Sequence, residues 1–405
     1  MECKTKTLPL LSIVIPTRNR AKYAGPTIES ILGLSKEPLE LVIHDNSDND
    51  ELEEYVSRRK YDPRLKYFRI KGAISGADNF ELSAAKAQGE FMGFIGDDDC
   101  INPELFQVVA AANTAGLDAV LGSSATYKWP DVRTRVFGSR LASTLVVKPY
   151  SGKILYLDSG EQVVKCLKRG GLNLCNLPLI YHGVVRRQCL EKVRKEAGCY
   201  FPGPCPDMAG AVAVSAFVGR YCKVDYPLFI SGCGAGALPA SGVIMRKSAG
   251  LLDEFPHLPQ RYKDVWSTIV PKYYSGSTVW AENVVQALKA TKREDLLGML
   301  NLPLLHAQCM VFEPEFYSLI VRNLFRSIPP GTASKLEATM AFSWHYLAVW
   351  LLRARVLVKN IAAVLRVPSF GFSKTVQIHE LRDTFEATEA LIKLLQTGAG
   401  APRMF

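Results

Sequence analysis

An α/β fold, with a mainly parallel sheet flanked by helices and a helical domain following it, is what the sequence predicts, on three observations. Short apolar runs, Leu10–Ile15, Leu39–His44 and Phe91–Ile95, alternate with helical patterns in the N-terminal part, and strands separated by helices pair in parallel through right-handed crossovers. Beyond Gly250 no strand pattern of comparable strength remains. Finally, 405 residues that are 48% hydrophobic and 22% charged make a globular chain that is long for a single core. Two domains are therefore expected, residues 1–242 and residues 243–405.

Each element has a local reason. Leu10-Leu11-Ser12-Ile13-Val14-Ile15 is a β-branched run that Pro16 is expected to stop, and Thr17-Arg18-Asn19-Arg20 follows as a loop. From Ala21 the pattern turns helical, with Ile28, Ile31 and Leu32 on one face. Leu39–His44 is the second strand, and the polar run Asp45–Asp50 can cap a helix over Glu51–Arg59. A short strand at Lys66–Ile70 and a helix from about Asn79 to Gln88 lead to Phe91–Ile95, a bulky run bounded by glycines that reads as a buried strand. Further strands are expected through Ala119–Leu121, Leu179–Val185 and Lys223–Gly232, with helices at Glu161–Lys168, Gln188–Glu196 and Ala211–Val218. Lys128–Tyr156, which contains Pro130, Gly138 and Pro149, reads as an irregular excursion. The helical candidates of the second half are Val279–Lys292, Pro314–Arg326, Ala333–Arg366 and Gln377–Leu395.

In a parallel sheet, ligands sit beyond the carboxyl ends of the strands. Three loops end there: Pro16–Arg20, with cationic and amide donors; His44–Asp50, with acids suited to a base or ribose; and Gly96–Asp99. The last holds Asp97-Asp98-Asp99, and three adjacent carboxylates repel one another unless water solvates them or a cation neutralises them. In an extended chain Asp97 and Asp99 would point to one side and Asp98 to the other. Mg²⁺ or Mn²⁺, hard ions bound through carboxylates and substrate phosphates, would suit such a cluster, and a solvated acidic turn is the alternative. Neither a Gly-x-Gly-x-x-Gly fingerprint after the first strand nor a P-loop is present.

These stretches resemble the inverting GT-A glycosyltransferases of family 2. Ser12–Arg20 is similar to that family's opening strand and loop, Glu40–Ser47 to its second strand with a nucleotide-binding acid, and Asn79, Ala84, Ala87, Gly89 and Glu90 to the helix and turn before its metal motif. Asp97-Asp98-Asp99 stands where the family has an Asp-x-Asp variant, with Pro103-Glu104 at the usual distance and Gly96 in place of a common additional acid. The resemblance covers roughly the first 120 residues. It implies a metal-dependent transfer of sugar from a nucleoside-diphosphate sugar to a hydroxyl of a saccharide or glycolipid acceptor. Pro16, Thr17, Arg18, Asn19, Arg20, Asp45, Lys71, Asn79, Asp97 and Asp98 would then hold the donor, with Asp97 and Asp99 on Mn²⁺ or Mg²⁺. Pro204–Gly210 lies where the family carries its catalytic base; many members have Glu-Asp there, and with Pro206-Asp207 in this chain only Asp207 can inherit the role. On its own residues Asp207 equally reads as a helix N-cap. His182, alone in an apolar stretch, reads as a structural histidine.

Two other classes compete: a nucleotidyltransferase, which needs an early Gly-rich loop with a lysine that is missing here, and a binding or scaffold subunit without turnover. The small-residue run Cys233–Gly242 reads as a loop closing over the donor or as a linker. The excess of basic over acidic residues is 49 − 39 = 10. It suits an anionic partner, and the expectation is a nucleotide sugar and an anionic membrane surface, not nucleic acid. Ten cysteines without a Cys-x-x-Cys pair argue against zinc and for reduced thiols. Met1–Pro9 carries no apolar segment of signal-peptide length, so a cytoplasmic protein, peripheral on the inner face of the membrane, is expected. Ala338–Leu352 has 15 uncharged residues, short of the ~18 to 20 of a membrane span. Arg355, Lys359 and Arg366 follow within about 40° of one another on a helix, a basic face for an anionic bilayer or for solvent. Homo-oligomer contacts are a further expectation for this domain.

Overall fold

The structure, a computed structural model, describes residues 8–58, 62–72, 74–133, 139–235, 249–255, 258–328, 331–364 and 375–397. Among the described residues, eleven strands form one sheet: β1 Leu11–Thr17, β2 Glu40–Asp45, β3 Leu65–Arg69, β4 Phe91–Phe94, β5 Cys100–Ile101, β6 Ala119–Lys128, β7 Thr144–Val147, β8 Ile154–Leu157, β9 Gly183–Arg186, β10 Tyr221–Cys233 and β11 Val376–Ile378. They run in the order β11-β7-β6-β9-β4-β1-β2-β3, while β10 lies against β5, β6 and β8. The expected parallel pairing holds for β3-β2-β1-β4. On the other side β9 enters antiparallel between β4 and β6, and β7 and β11 continue antiparallel, so the sheet is mixed.

Strand β1 shows why this half forms. Leu11, Ile13 and Ile15 belong to one apolar core and Val14 to the other, all fully buried, because successive side chains point to opposite faces. Each such side chain contributes about 1.5–3 kcal/mol relative to exposure. Pro16 does not stop the strand, which runs on to Thr17 with Pro16 opposite His44. The irregular excursion is only partly so, since β7 and β8 lie within it. Leu179–Tyr181 precede β9 as a turn and an isolated bridge from Tyr181 to Phe94, and the strand itself begins at Gly183.

The second half is helical as expected, over Gly276–Ala290, Leu302–Phe312, Tyr317–Ser327 and Thr332–Val364. Its core is not separate: Val279, Leu305, Cys309 and Ile320 share one apolar cluster with Phe94, Val185 and Met208. The helix expected over Gln377–Leu395 is instead strand β11, which completes the sheet edge beside β7, followed by a helix over Thr384–Thr397. That helix lies on the first helix, Ala21–Leu34, where Ser30 Oγ donates to Thr388 Oγ1 at 2.9 Å. The helix Thr384–Thr397 is thus built into the N-terminal layer. Of the expected loop Cys233–Gly242, residues 236–242 fall outside the described residues, as do the side chains of Lys359 and Arg366.

Candidate active site

The three aspartates form a turn, not an extended segment. After β4 the chain passes through Gly96, and Asp99 N returns to Gly96 O at 3.2 Å. Alternation therefore does not sort the carboxylates; Asp97 and Asp98 share one cation, and Asp99 bonds a different set of donors. Arg20 spans the first two, its Nε 2.6 Å from Asp97 Oδ1 and its Nη2 2.7 Å from Asp98 Oδ2. Thr17 Oγ1 donates to Asp97 Oδ2 at 2.6 Å, and the Gly234 amide to Asp98 Oδ2 at 3.0 Å. Asp99 Oδ1 accepts from the Gly232 amide at 2.7 Å. Its Oδ2 accepts from Gly96 N and the Tyr181 hydroxyl, each at 2.6 Å, and faces His182 Nε2 at 2.8 Å. Gly232 must be glycine here, because a Cβ would stand 1.7 Å from Asp98 O.

The electrostatics follow from that packing. Burial pushes the Asp98 carboxyl up to about 7, aided by the charges of Asp99 and Asp97 and opposed by Arg20 and the Gly234 amide. Burial likewise raises Asp97 against the pull of Arg20. For Asp99 burial works in the same direction, but His182, Tyr181 and Gly96 outweigh it and hold the carboxyl below its ordinary range.

The neighbouring loops are zipped together. Asn19, in the left-handed region at φ 55, donates its amide to Ser47 Oγ at 2.7 Å, and Arg18 pairs with the exposed Asp48 at 3.2 Å. Two of the expected donor contacts lie behind this surface. Asp45 is fully buried, accepting from Ser47 N on one oxygen and from Tyr67 Oη on the other. Asn79 is buried as well; its amide nitrogen reaches Asn46 Oδ1 at 2.7 Å and its oxygen lies 2.5 Å from His44 Nδ1. Asn79 ties the helix Gly76–Ala84 to the ends of β1 and β2 through Thr17 O, His44 O and Asn46, while Asp45 ties the end of β2 to β3 through Tyr67. Lys71 is exposed just past β3.

Asp207 is near enough to Tyr181 and His182 for their charges to act on one another. It is the second residue of the helix Pro206–Val214, whose N-cap is Cys205, so the N-cap reading is corrected. Asn283 of the helix Gly276–Ala290 fixes that helix start by accepting from Cys205 N at 2.8 Å. The Asp207 side chain is open to solvent on one side, with protein crowded around the rest. That crowding raises its carboxyl, against the pull of the Met208 and Asp207 amides and of His182; solvent on the open side moderates the rise. His182 thus bears on both Asp99 and Asp207. It was missed as a site residue, and what marks it is positional: φ is 54 for a non-glycine residue, the kind of backbone that gathers at working sites. The side chains of Tyr181 and Trp129, the latter donating to Asp98 O at 3.0 Å, were missed for the same reason, their partners being remote in sequence.

A divalent ion does not fit this cluster as it stands. Of the six carboxylate oxygens on Asp97, Asp98 and Asp99, only Asp98 Oδ1 lacks a protein donor among the described residues, and Arg20 occupies the space between the two acids. No group of three or more His, Cys, Asp or Glu side chains could hold a metal among the described residues.

A parallel α/β layer that gathers acidic and basic loops at its strand carboxyl ends is the architecture of nucleotide-binding α/β proteins. Residues 12–156 match the model of "Glycosyl transferase family 2". Over 94 residues the chain is 33% identical to a GalNAc(5)-diNAcBac-PP-undecaprenol beta-1,3-glucosyltransferase of Campylobacter jejuni, covering 23% of this chain and 30% of that enzyme. Over 148 residues it is 27% identical to an uncharacterized glycosyltransferase, EpsJ, of Bacillus subtilis, covering 35% and 41%. Each match spans less than half of the relative. A structure of S. aureus TarS 1-349 in complex with UDP-GlcNAc has a TM-score of 0.47 at 16% identity, covering 78% of this chain and 79% of that one.

Proposed function

We propose that the chain is a glycosyltransferase that moves a sugar from a nucleoside-diphosphate sugar to a hydroxyl of a saccharide acceptor by inversion. The family match over residues 12–156 supports the reaction class. The observation that carries the reading is the convergence of a solvent-open Asp207 and the buried acid turn on one pair of side chains, Tyr181 and His182. Asp207 would take the proton of the acceptor hydroxyl as the new bond to the anomeric carbon forms. The rise that crowding gives its proton affinity strengthens it as a base. One base acting opposite the leaving group gives inversion. Arg18 and Lys71, exposed at the strand ends, would meet the diphosphate charge, with Arg20 behind them fixing the acid turn. Dependence on Mn²⁺ or Mg²⁺ is the finer expectation. Such an ion would reach Asp97 only after Arg20 and Thr17 released it, and Asp99 only after Gly96, Tyr181, His182 and Gly232 did.

The relative named for an undecaprenol-diphosphate acceptor supports an acceptor carried on a lipid, in the assembly of a surface polysaccharide or glycan. The test is a panel of nucleotide sugars with and without Mn²⁺, read as nucleoside-diphosphate release and donor-induced thermal shift. Release with one donor, abolished in Asp207→Asn while the thermal shift persists, is the expected result. A thermal shift without release from any donor would instead favour a nucleotide-sugar-binding or scaffold subunit.

A further inference from the structure

The helix Thr332–Val364 has two unlike faces. Toward the body, Val349 is buried, His345 Nε2 lies 3.3 Å from Asn301 Nδ2, and Arg353 donates to the Val311 carbonyl while lying 5.1 Å over the Phe312 ring. On the opposite side, at 100° per residue, Leu336, Met340, Leu347, Leu351 and Val358 fall within about 60° of one another. Trp344 stands on one margin of this stripe and Trp350 on the other. Leu336, Met340, Trp344, Leu347, Leu351 and Val358 are between 56% and 70% exposed. The stripe runs for about 33 Å at 1.5 Å per residue. Isolated exposed apolar side chains need no explanation, but a continuous row of this length marks a contact surface.

Charge chooses the occupant. From Ala338 to Val364 the sequence has no Asp or Glu, and besides Arg353, which is held on the packed side, it carries Arg355 and Lys359. A second copy would bring the same excess positive charge against this helix, whereas an anionic surface would be attracted to it. No helix among the described residues is long and apolar enough to cross a membrane. An apolar row with tryptophans on its margins and cations nearby matches a helix lying in the plane of a lipid interface, where indole sits well at the boundary of water and hydrocarbon. We propose that this face docks on an anionic lipid bilayer, with the stripe from Leu336 to Val358 entering the acyl boundary. This surface requires no nucleotide sugar and stands apart from the reading of the acid turn.

The experiment is sedimentation of the full chain with vesicles of phosphatidylglycerol and phosphatidylcholine, against phosphatidylcholine alone, read together with tryptophan fluorescence. Binding to the anionic vesicles with a blue-shifted emission is expected. The combined variant Met340→Ser, Leu347→Ser, Leu351→Ser should lower the bound fraction's partition coefficient by about tenfold or more, with far-ultraviolet circular dichroism unchanged. No binding to anionic vesicles, or equal binding by the folded variant, would overturn the proposal. So would a dimer mass by light scattering without lipid that the same variant returns to a monomer, which would make the stripe a self-association seam.

Discussion

The acid turn and the helix Thr332–Val364 place polarity in opposite ways. At the turn, charged atoms are buried and matched: Arg20 against Asp97 and Asp98, His182 and Tyr181 against Asp99, Tyr67 against Asp45. On the helix, large apolar side chains stand in water while its packed side holds Val349 and Arg353. A buried charge is costly unless its partner stays in place, so the first region is sensitive to single changes. An apolar side chain already in solvent has little left to lose on folding, so the second region tolerates substitution until something covers it.

The contrast can be broken or sharpened by measurement, and the largest effect belongs to catalysis. Asp207→Asn should lower turnover by about 10²–10⁴-fold, read as nucleoside-diphosphate release, while unfolding stays near that of the parent because the carboxylate is open to solvent. Undiminished turnover would remove Asp207 from the base's role. Next, Arg20→Ala leaves two buried carboxylates without their cation and should cost about 3–5 kcal/mol in urea unfolding at neutral pH. A loss under about 1 kcal/mol would mean the turn is solvated after all.

The third effect is a pH slope. Asp98 titrates at about 7 in the folded chain against an ordinary 3.8. Between those values the folded state keeps a proton that the unfolded chain has released. Stability should therefore fall as pH rises from about 4 to about 7, and Asp98→Asn should flatten that part of the curve. Asp99, held low, acts in the other sense: its contribution is present above the ordinary carboxylate range and is lost as pH falls below it. Smaller still, Val349→Ala on the packed side of the helix should lose about 1–2 kcal/mol. Trp344→Ser on the open side should stay within about 0.5 kcal/mol. Equal losses from that pair would mean that both faces are covered in the lone chain.

How much of this was legible in the sequence depended on how local each cause is. Leu11–Ile15 and Phe91–Phe94 announce themselves, since a buried parallel strand must be apolar on both faces. The gathering of the loops at Thr17, Asp45 and Asp97 followed from topology. What the acids do once gathered did not follow, because three adjacent carboxylates are neutralised equally well by an ion or by a guanidinium, and only the fold brings Arg20 across a separation of 77 residues. Asp45 looked like a ligand contact because its partner, Tyr67, lies on a different strand. The C-terminal error has the same origin. Val376–Ile378 is too short to show alternation, and it becomes a strand only because β7 offers an open edge.

The link between the helix Thr384–Thr397 and the acid turn has a consequence in time. Thr27 Oγ1 donates to the carbonyls of Asp97 and Asp99 and also touches Thr384 Oγ1 at 3.3 Å. One hydroxyl therefore connects the centre of the candidate site to a helix made hundreds of residues later. Contacts this far apart in sequence are slow to form, and here they cannot form at all until the ribosome has delivered the helix Thr384–Thr397. A nascent chain halted after the sheet's central strands would hold its acid turn without the Thr384 contact behind Thr27.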